Sequence, residues 1–262
     1  MNRIKTTIDT GGNKPVLVFL HGFCASKQIW EQFAQPLQTH YRLILIDLPG
    51  FGENTEPQPN YTMESGAIYV REVLASLAIQ KCVLIGHSMG GYVGLALAEK
   101  YPEILLGLVL FHSSALPDSA EKKENRNKTI EFIKKNGVDI FMNTFVAPLF
   151  YDGNREKNQS AIQLLAQIGK KGTPVAITGT IAGMRDRPDR TEVLKNIPCP
   201  VLFIAGKQDP AVTLEQTLQQ CYLPAISHTL FLDLTGHMGM FEQPDLTRQG
   251  IIGFVNSLNA DI

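Results

Sequence analysis

The segment at residues 86–90 reads G-H-S-M-G and places Ser88 at the centre of a G-x-S-x-G pattern. The apolar run at residues 82–85 before it is typical of a buried strand, and small residues at helical spacing follow it. A serine at the apex of such a strand-to-helix turn is strained and exposes its hydroxyl, while the glycines let neighbouring backbone pack closely. The pattern predicts a nucleophile at Ser88. A dinucleotide-binding loop is disfavoured, because G-x-G-x-x-G would need glycine in place of this serine.

A serine hydroxyl needs a base to take its proton, so the pattern requires a histidine. His237 follows the last apolar run and precedes the last helical pattern, which predicts that it lies at the same edge of a parallel sheet as Ser88. His112 ends an earlier run at that edge and stays a rival base. Of the other histidines, two lie in glycine turns and two precede strands at the opposite edge: His21 and His87, and His40 and His228.

The histidine in turn needs a carboxylate that orients it. Asp209 follows the penultimate apolar run directly, in the segment G-K-Q-D, and is the predicted partner of His237. Asp118 is the first acid after the preceding run but stands several residues beyond its end. Asp233 lies within the last predicted strand, where we expect a structural role. The predicted triad therefore has the chain order Ser88, Asp209, His237.

Acyl transfer also needs donors for the negative charge that develops on the carbonyl oxygen. The run at residues 16–20 leads into H-G-F-C, and the backbone N–H of Phe23 is one predicted donor. The second is the backbone N–H of Met89, directly after the nucleophile. Taken alone, the segment H-G-F-C is also compatible with an ordinary glycine turn after a strand that has no catalytic role.

Several large apolar side chains lie in segments that could border this site. The predicted pocket residues are Trp30, Phe141, Phe145 and Met238. Such a lining would favour an apolar acyl group over a sugar or a dianionic acid. Packing within a helical segment is the alternative role for the same side chains.

The elements that must position these residues alternate between short apolar runs and helical patterns, which is typical of strand–helix units around a mainly parallel sheet. The runs are continuous rather than alternating, so we expect helices on both faces of the sheet. They cover residues 16–20, 43–46, 82–85, 105–111, 201–205 and 229–234. The long interval between residues 111 and 201 lacks a strand pattern and shows helical spacing. It predicts a helical cap at residues 115–190 over a core of residues 1–114 and 191–262.

The motifs H-G-F, D-L-P-G-F-G, G-H-S-M-G-G, G-K-Q-D and G-H occur in an order that resembles the α/β-hydrolase superfamily, specifically its small, capped, esterase-like members. The resemblance covers nearly the whole chain apart from the cap. It implies an α/β fold with a mostly parallel, eight-stranded sheet flanked by helices and a helical cap inserted after the sixth strand. It also implies a structural role for Asp47. Serine at position 88 departs from dehalogenases, which carry aspartate there.

Composition excludes several classes of protein. The 262 residues are 44% hydrophobic and 19% charged with a formal net charge of −1, so there is no general electrostatic reason to bind nucleic acid or an anionic membrane. No apolar stretch reaches the roughly 20 residues of a membrane span. The N-terminal residues lack the features of a signal peptide, which predicts a cytoplasmic protein. The cysteines are widely spaced and show no zinc or redox pattern. No metal and no organic cofactor are expected.

These observations predict a serine hydrolase, a carboxylesterase that cleaves esters of small to medium, mainly apolar acyl groups through an acyl-enzyme. A C–C bond hydrolase, or a cofactor-free perhydrolase or haloperoxidase, would use the same triad. A noncatalytic binding protein of this fold is the third alternative. The expected partner is a small-molecule ester. An acidic carrier protein could meet the basic residues at positions 122–128, but the interleaved glutamates favour an ordinary solvated helix face.

Overall fold

The strands form one seven-stranded sheet in the computed structural model, which describes residues 3–258. The strand order is β1-β3-β2-β4-β5-β6-β7. Only β1 is antiparallel to its neighbour. The strands are β1 Thr7–Asp9, β2 Val16–Leu20, β3 Arg42–Ile46, β4 Cys82–His87, β5 Leu105–Phe111, β6 Val201–Gly206 and β7 Ser227–Leu232.

The central strands are nearly continuous runs of buried apolar residues, as expected for parallel strands covered on both faces. The sheet has seven strands over residues 3–258 rather than the eight that the resemblance implied. The segment ahead of β1, where a further edge strand would pair, is instead the helix Arg3–Thr6. The long helical insertion therefore follows the fifth strand and not the sixth. The last strand ends two residues earlier than its apolar pattern suggested, because its pairing with β6 fixes its register.

Helices cover both faces of the sheet and fill the insertion between β5 and β6. Several begin at a threonine or serine whose hydroxyl accepts a backbone N–H of the first turn. The helices are α1 Arg3–Thr6, α2 Gln28–Ala34, α3 Met63–Ser76, α4 Met89–Lys100, α5 Ala120–Asn136, α6 Val138–Phe145, α7 Gln159–Lys170, α8 Pro174–Asp186, α9 Thr191–Asn196, α10 Leu214–Leu218, α11 Gly239–Glu242 and α12 Pro244–Leu258.

Helices α5 to α8 pack against one another and over the carboxyl edge of the sheet. The rings of Phe141 and Phe145 on α6 stack at 4.8 Å, and the Phe145 ring lies 5.7 Å from that of Phe23, which follows β2. A buried ion pair between Arg187 and Asp118, with 2.7 Å between nitrogen and oxygen, ties the end of α8 to the chain that leads into α5. The apolar contact with Phe23 thus joins the insertion to the core, and the ion pair holds the two ends of the insertion together.

The turn after β3 is built around a fully buried carboxylate. Asp47 accepts the backbone N–H of Lys27 at 2.7 Å and that of Glu53 at 2.9 Å. A Cβ on Gly52 would lie 2.3 Å from this carboxylate, so the turn requires glycine there. These contacts give Asp47 the role of a structural anchor.

None of the helices among residues 3–258 is long and apolar enough to cross a membrane.

Candidate active site

The turn between β4 and α4 holds Ser88 in an unusual backbone conformation. Its φ is 51°, a left-handed value that is rare for residues other than glycine. A Cβ on Gly86 would lie 2.5 Å from the carbonyl oxygen of Gly90, and one on Gly90 would lie 2.6 Å from that of Leu20. The two glycines of the motif are therefore required by close backbone contacts. Ser88 itself is only half-buried and lines a cavity.

The loop after β7 brings His237 to the same cavity. Its Nδ1 lies 2.8 Å from Oδ2 of Asp209, which follows β6. The other oxygen of Asp209 accepts the backbone N–H groups of Ala211 and Val212 at 2.8 and 2.9 Å. An ionised carboxylate cannot donate, so the proton of this pair is on Nδ1 of His237. Its Nε2 is left as the nitrogen that can accept a proton.

The loop around His237 is held by a buried glutamate that the sequence analysis did not identify. Glu242 accepts the backbone N–H of Gly236 at 3.0 Å and that of Met238 at 3.2 Å, on either side of His237. Its second oxygen accepts the N–H of Tyr151 at 2.9 Å and the side-chain amide of Asn154 at 3.0 Å. Glu242 thus connects the histidine loop to the helical insertion. A charged residue within the apolar segment M-G-M-F-E was the available signal.

His112 is the second residue whose place the sequence did not reveal. It directly follows β5, has a φ of 50° and is fully buried, and its Nδ1 lies 2.9 Å from the same Oδ2 atom of Asp209. A Cβ on Gly239 would lie 2.6 Å from its Nε2. His112 does not line the cavity, so it has no direct access to the Ser88 hydroxyl. His237, which lines the cavity, is therefore better placed than His112 to act as the base.

The electrostatics of the cluster favour an ionised Asp209 and neutral His87 and His112. Burial opposes ionisation of Asp209, but His237 and His112 outweigh it and hold its pKa far below the usual range. Burial lowers the pKa of His112, and the Asp209 carboxylate offsets this only in part. Burial, together with the charges of His237 and His112, lowers the pKa of His87 well below its ordinary value. Nε2 of His87 donates to the carbonyl oxygen of His237 at 2.9 Å and supports the loop.

The cavity has a volume of about 200 Å³ and is bordered mainly by apolar side chains from the insertion and the core. The predicted pocket residues Phe141, Phe145 and Met238 line it, as does Cys24. Trp30 does not, which corrects its predicted place. Its side chain is fully buried behind the site and packs against Phe19, Phe33 and Phe111.

The backbone amides predicted to hold an oxyanion, those of Phe23 and Met89, lie beside Ser88 or at the cavity. Phe23 lines the cavity, and Met89 begins α4 directly after Ser88. Within residues 3–258 neither amide has a hydrogen-bond acceptor. The amide of Met89 belongs to the first turn of a helix, where N–H groups have no intrahelical partner. Both remain candidates for an oxyanion hole.

Cationic side chains from α5 reach the cavity wall. Lys122 and Arg126 stand one helical turn apart and line the cavity, and Nζ of Lys122 donates to the carbonyl oxygen of Ala211 at 2.8 Å. Arg126 also pairs with Asp118. Lys123 and Lys128 are exposed on the same helix.

His112, Asp209 and His237 could in principle hold a metal ion, since their ligand atoms lie within 4.8 Å of one another. Both Nδ1 atoms, however, carry the protons that they donate to Asp209. These hydrogen bonds to Asp209 account for the arrangement of the three side chains.

Residues 15–244 match the family described as the alpha/beta hydrolase fold. The chain belongs to this family. The predicted resemblance to α/β hydrolases is thereby confirmed, and so are the α/β fold and its mostly parallel sheet.

Two relatives and one solved structure indicate the range of this α/β hydrolase family. An esterase from Thermogutta terrifontis, solved with malate bound, has a TM-score of 0.89 and 31% identity over 96% of this chain and 93% of its own. The 2-hydroxy-6-oxo-6-(2'-aminophenyl)hexa-2,4-dienoic acid hydrolase of Metapseudomonas resinovorans is 25% identical over 97% of this chain and 88% of its own length. The pimeloyl-[acyl-carrier protein] methyl ester esterase of Aeromonas salmonicida is 38% identical, but over only 42% of each chain.

Proposed function

We propose that this α/β hydrolase is a serine carboxylesterase that cleaves esters with small to medium, mainly apolar acyl groups. The observation that carries the proposal is the shared cavity of Ser88 and His237, in which His237 is bonded through Nδ1 to the buried Asp209. The apolar wall formed by Phe141, Phe145 and their neighbours supports an apolar acyl group. The similarity to the Thermogutta terrifontis esterase points the same way.

In the proposed cycle the hydroxyl oxygen of Ser88 attacks the ester carbonyl while Nε2 of His237 takes its proton. Asp209 stabilises the imidazolium that forms, and the amides of Phe23 and Met89 donate to the oxyanion. The alcohol leaves with the proton from His237, and the acyl group remains on Ser88. A water molecule then gives a proton to His237 while its oxygen bonds to the acyl carbon. The bond between the acyl carbon and the Ser88 oxygen breaks, His237 returns the proton to that oxygen, and the acid is released.

A C–C bond hydrolase is the second candidate, because Lys122 and Arg126 line the cavity and could pair with the carboxylate of a dienoic acid. The similarity to the dienoic acid hydrolase also supports it. Arg185 and Arg187 are less suited to that role, since neither is among the residues that line the cavity. An acidic carrier protein that presents an acyl ester stays a proposed partner for the exposed Lys123 and Lys128.

The test is hydrolysis of p-nitrophenyl esters from acetate to decanoate, together with labelling by a fluorophosphonate. Ser88→Ala should lose labelling and about six orders of magnitude in kcat. Ser76→Ala, whose exposed hydroxyl bonds only within α3, is the matched control and should keep full activity. A 2-hydroxy-6-oxo-dienoic acid serves as the competing substrate.

A chain-length optimum that disappears with Ser88 would support the esterase. Turnover of the dienoic acid in preference to every ester would favour the C–C hydrolase instead. Absence of both turnover and labelling in the wild type would contradict the proposal and favour a noncatalytic role.

A further inference from the structure

The carboxylate of Asp209 is shared between two imidazole rings rather than held by one. His237 and His112 place their Nδ1 atoms 2.8 and 2.9 Å from the same oxygen, Oδ2. The other oxygen already accepts two backbone amides, from Ala211 and Val212. Asp209 therefore receives four donors, and one of the two side-chain donors, His112, lies outside the proposed triad.

The tautomer of His112 follows from its partners. An ionised Asp209 can only accept, so the proton of His112 must be on Nδ1. The backbone N–H of Gly206, at 3.3 Å from this nitrogen, then faces a position that is already protonated. Nε2 is left without a proton, and among residues 3–258 it has no hydrogen-bond partner.

An unpaired nitrogen in a fully buried ring costs stability. An apolar side chain of similar volume would avoid that cost at position 112. The histidine is therefore not explained by packing alone. The one polar contact of its ring that fits the required tautomer is the hydrogen bond to Asp209.

We propose that His112 is a positioning residue for Asp209 in the reaction. This inference rests on the proposed function. The N–H of His112 fixes the rotation of the carboxylate, so that Oδ2 lies in line with Nδ1 of His237. It also draws part of the carboxylate charge away from His237, because each charge-assisted hydrogen bond to Oδ2 competes for the same lone pairs.

Other ionisable groups near this pair come from several elements. His87 on β4 has its ring centroid 6.2 Å from that of His112, and Glu242 on α11 binds the loop of His237. Lys122 on α5 bonds to Ala211, next to the Asp209 turn. The pH dependence of the reaction must therefore be compared between variants in which His87, Glu242 and Lys122 are unchanged.

The experiment compares His112→Leu, which removes the donor but keeps most of the volume, with His112→Asn, whose amide can place an N–H near the position of Nδ1. We expect kcat for the best p-nitrophenyl ester to fall about 10–100-fold in the leucine variant, with KM within about threefold of the wild type. The asparagine variant should recover most of kcat. His40→Asn replaces an exposed histidine and is the matched control.

The pH dependence of kcat/KM separates positioning from packing. Without the N–H of His112, Asp209 interacts more strongly with protonated His237, so the acid limb should move up by about half to one pH unit in the leucine variant. The asparagine variant should keep the wild-type limb. Equal losses in both variants, with an unshifted limb, would overturn the proposal and leave His112 a packing role.

A measurement on the wild type keeps the inference testable if the variants fail to fold. Nitrogen-15 shifts of the imidazoles must show His112 protonated at Nδ1 and not at Nε2, and protonation at Nε2 overturns the proposal. Failure of the proposed function has a different signature, since the wild type would then hydrolyse no ester. Wild-type hydrolysis with unchanged kcat in His112→Leu would reject the positioning role alone.

Discussion

Strands β4 and β5 run side by side and end in the same kind of turn, yet only one of these turns is visible in the sequence. Ser88 has a φ of 51° and His112 a φ of 50°, and both follow buried parallel strands. At Ser88 the crowding falls on Gly86 and Gly90, two residues away on either side. At His112 it falls on Gly239, in the last part of the chain.

The difference shows when a strained turn produces a sequence motif. A motif arises where the residues that must be glycine lie close in sequence to the strained turn, as they do around Ser88. The turn at His112 is equally tight, but the contacts that require glycine come from another segment. The two turns also bind each other, because the N–H of Ser88 donates to the carbonyl oxygen of Phe111 at 2.9 Å.

The largest expected effect is at the acid to which the two histidines point. Asp209→Asn should lower kcat about 10⁴-fold, because an amide can donate to His237 and favours the wrong tautomer. Asp233→Asn is the matched control, since its exposed carboxylate pairs with Lys207 at the surface. Steady-state kinetics with a p-nitrophenyl ester measure both. A loss below tenfold in Asp209→Asn would argue against the proposed triad.

The steric comparison of the two turns predicts a second, smaller effect. A Cβ on Gly90 meets backbone oxygen at 2.6 Å, whereas one on Gly239 meets the ring of His112 at the same distance. We expect Gly90→Ala to lose about 3 kcal/mol or more of unfolding free energy and Gly239→Ala about 1–2 kcal/mol. Urea unfolding measures this, with Gly253→Ala in open space on α12 as control. Equal losses in the two variants would mean that both turns accommodate an added methyl group equally well.

The buried histidines predict a loss of stability in acid. The pKa of His87 and His112 is lowered in the folded protein, while the unfolded chain keeps the ordinary value of 6.5. Below about pH 6.5 the unfolded chain therefore binds more protons, and the unfolding free energy falls as the pH falls. Each such histidine contributes about 1.4 kcal/mol per pH unit.

His112→Asn should reduce the slope of the unfolding free energy against pH by the contribution of one histidine. His40→Asn should leave that slope as in the wild type. Chemical unfolding at several values between pH 5 and 7.5 gives the slopes. A slope in His112→Asn as steep as that of the wild type would mean that His112 is protonated in the folded state.

The smallest effect concerns the hydroxyl that joins the two turns. Ser113, next to His112, donates to the carbonyl oxygen of Ser88 at 2.7 Å. Ser113→Ala should cost about 1 kcal/mol of unfolding free energy and change kcat only a few-fold. Thermal unfolding with Ser76→Ala as reference would detect this. No change in either quantity would show that the turns hold their shapes independently.

Strand positions were predicted well where burial on both faces gave continuous apolar runs, as in Val16–Leu20 and Leu105–Phe111. The last strand was placed two residues late, because β7 lies at the edge of the sheet and is only partly buried. The start of α8 is likewise fixed by local interactions, because the Thr173 hydroxyl accepts a backbone N–H of the first turn and Pro174 is the first helical residue.

Long-range contacts were less accessible. Trp30 is a large apolar residue of the kind expected in a pocket, but the packing of α2 directs its side chain into the core. His112 contacts Asp209, and Glu242 contacts Tyr151 and Asn154, all far away in the chain, so no local pattern shows these partners. The number of strands also depended on whether the segment before Thr7 would pair, and it forms a helix instead.

The sequence by itself determined the family, the serine turn and the order of the site residues, because backbone sterics and helix caps act between neighbours in the chain. Only the tertiary structure decided that His112 and His237 meet on one oxygen of Asp209 and that Glu242 holds the histidine loop. Strand pairing sets which chain ends lie side by side at the sheet edge. A hydrogen bond across that edge is fixed by distance in space and leaves no pattern in sequence.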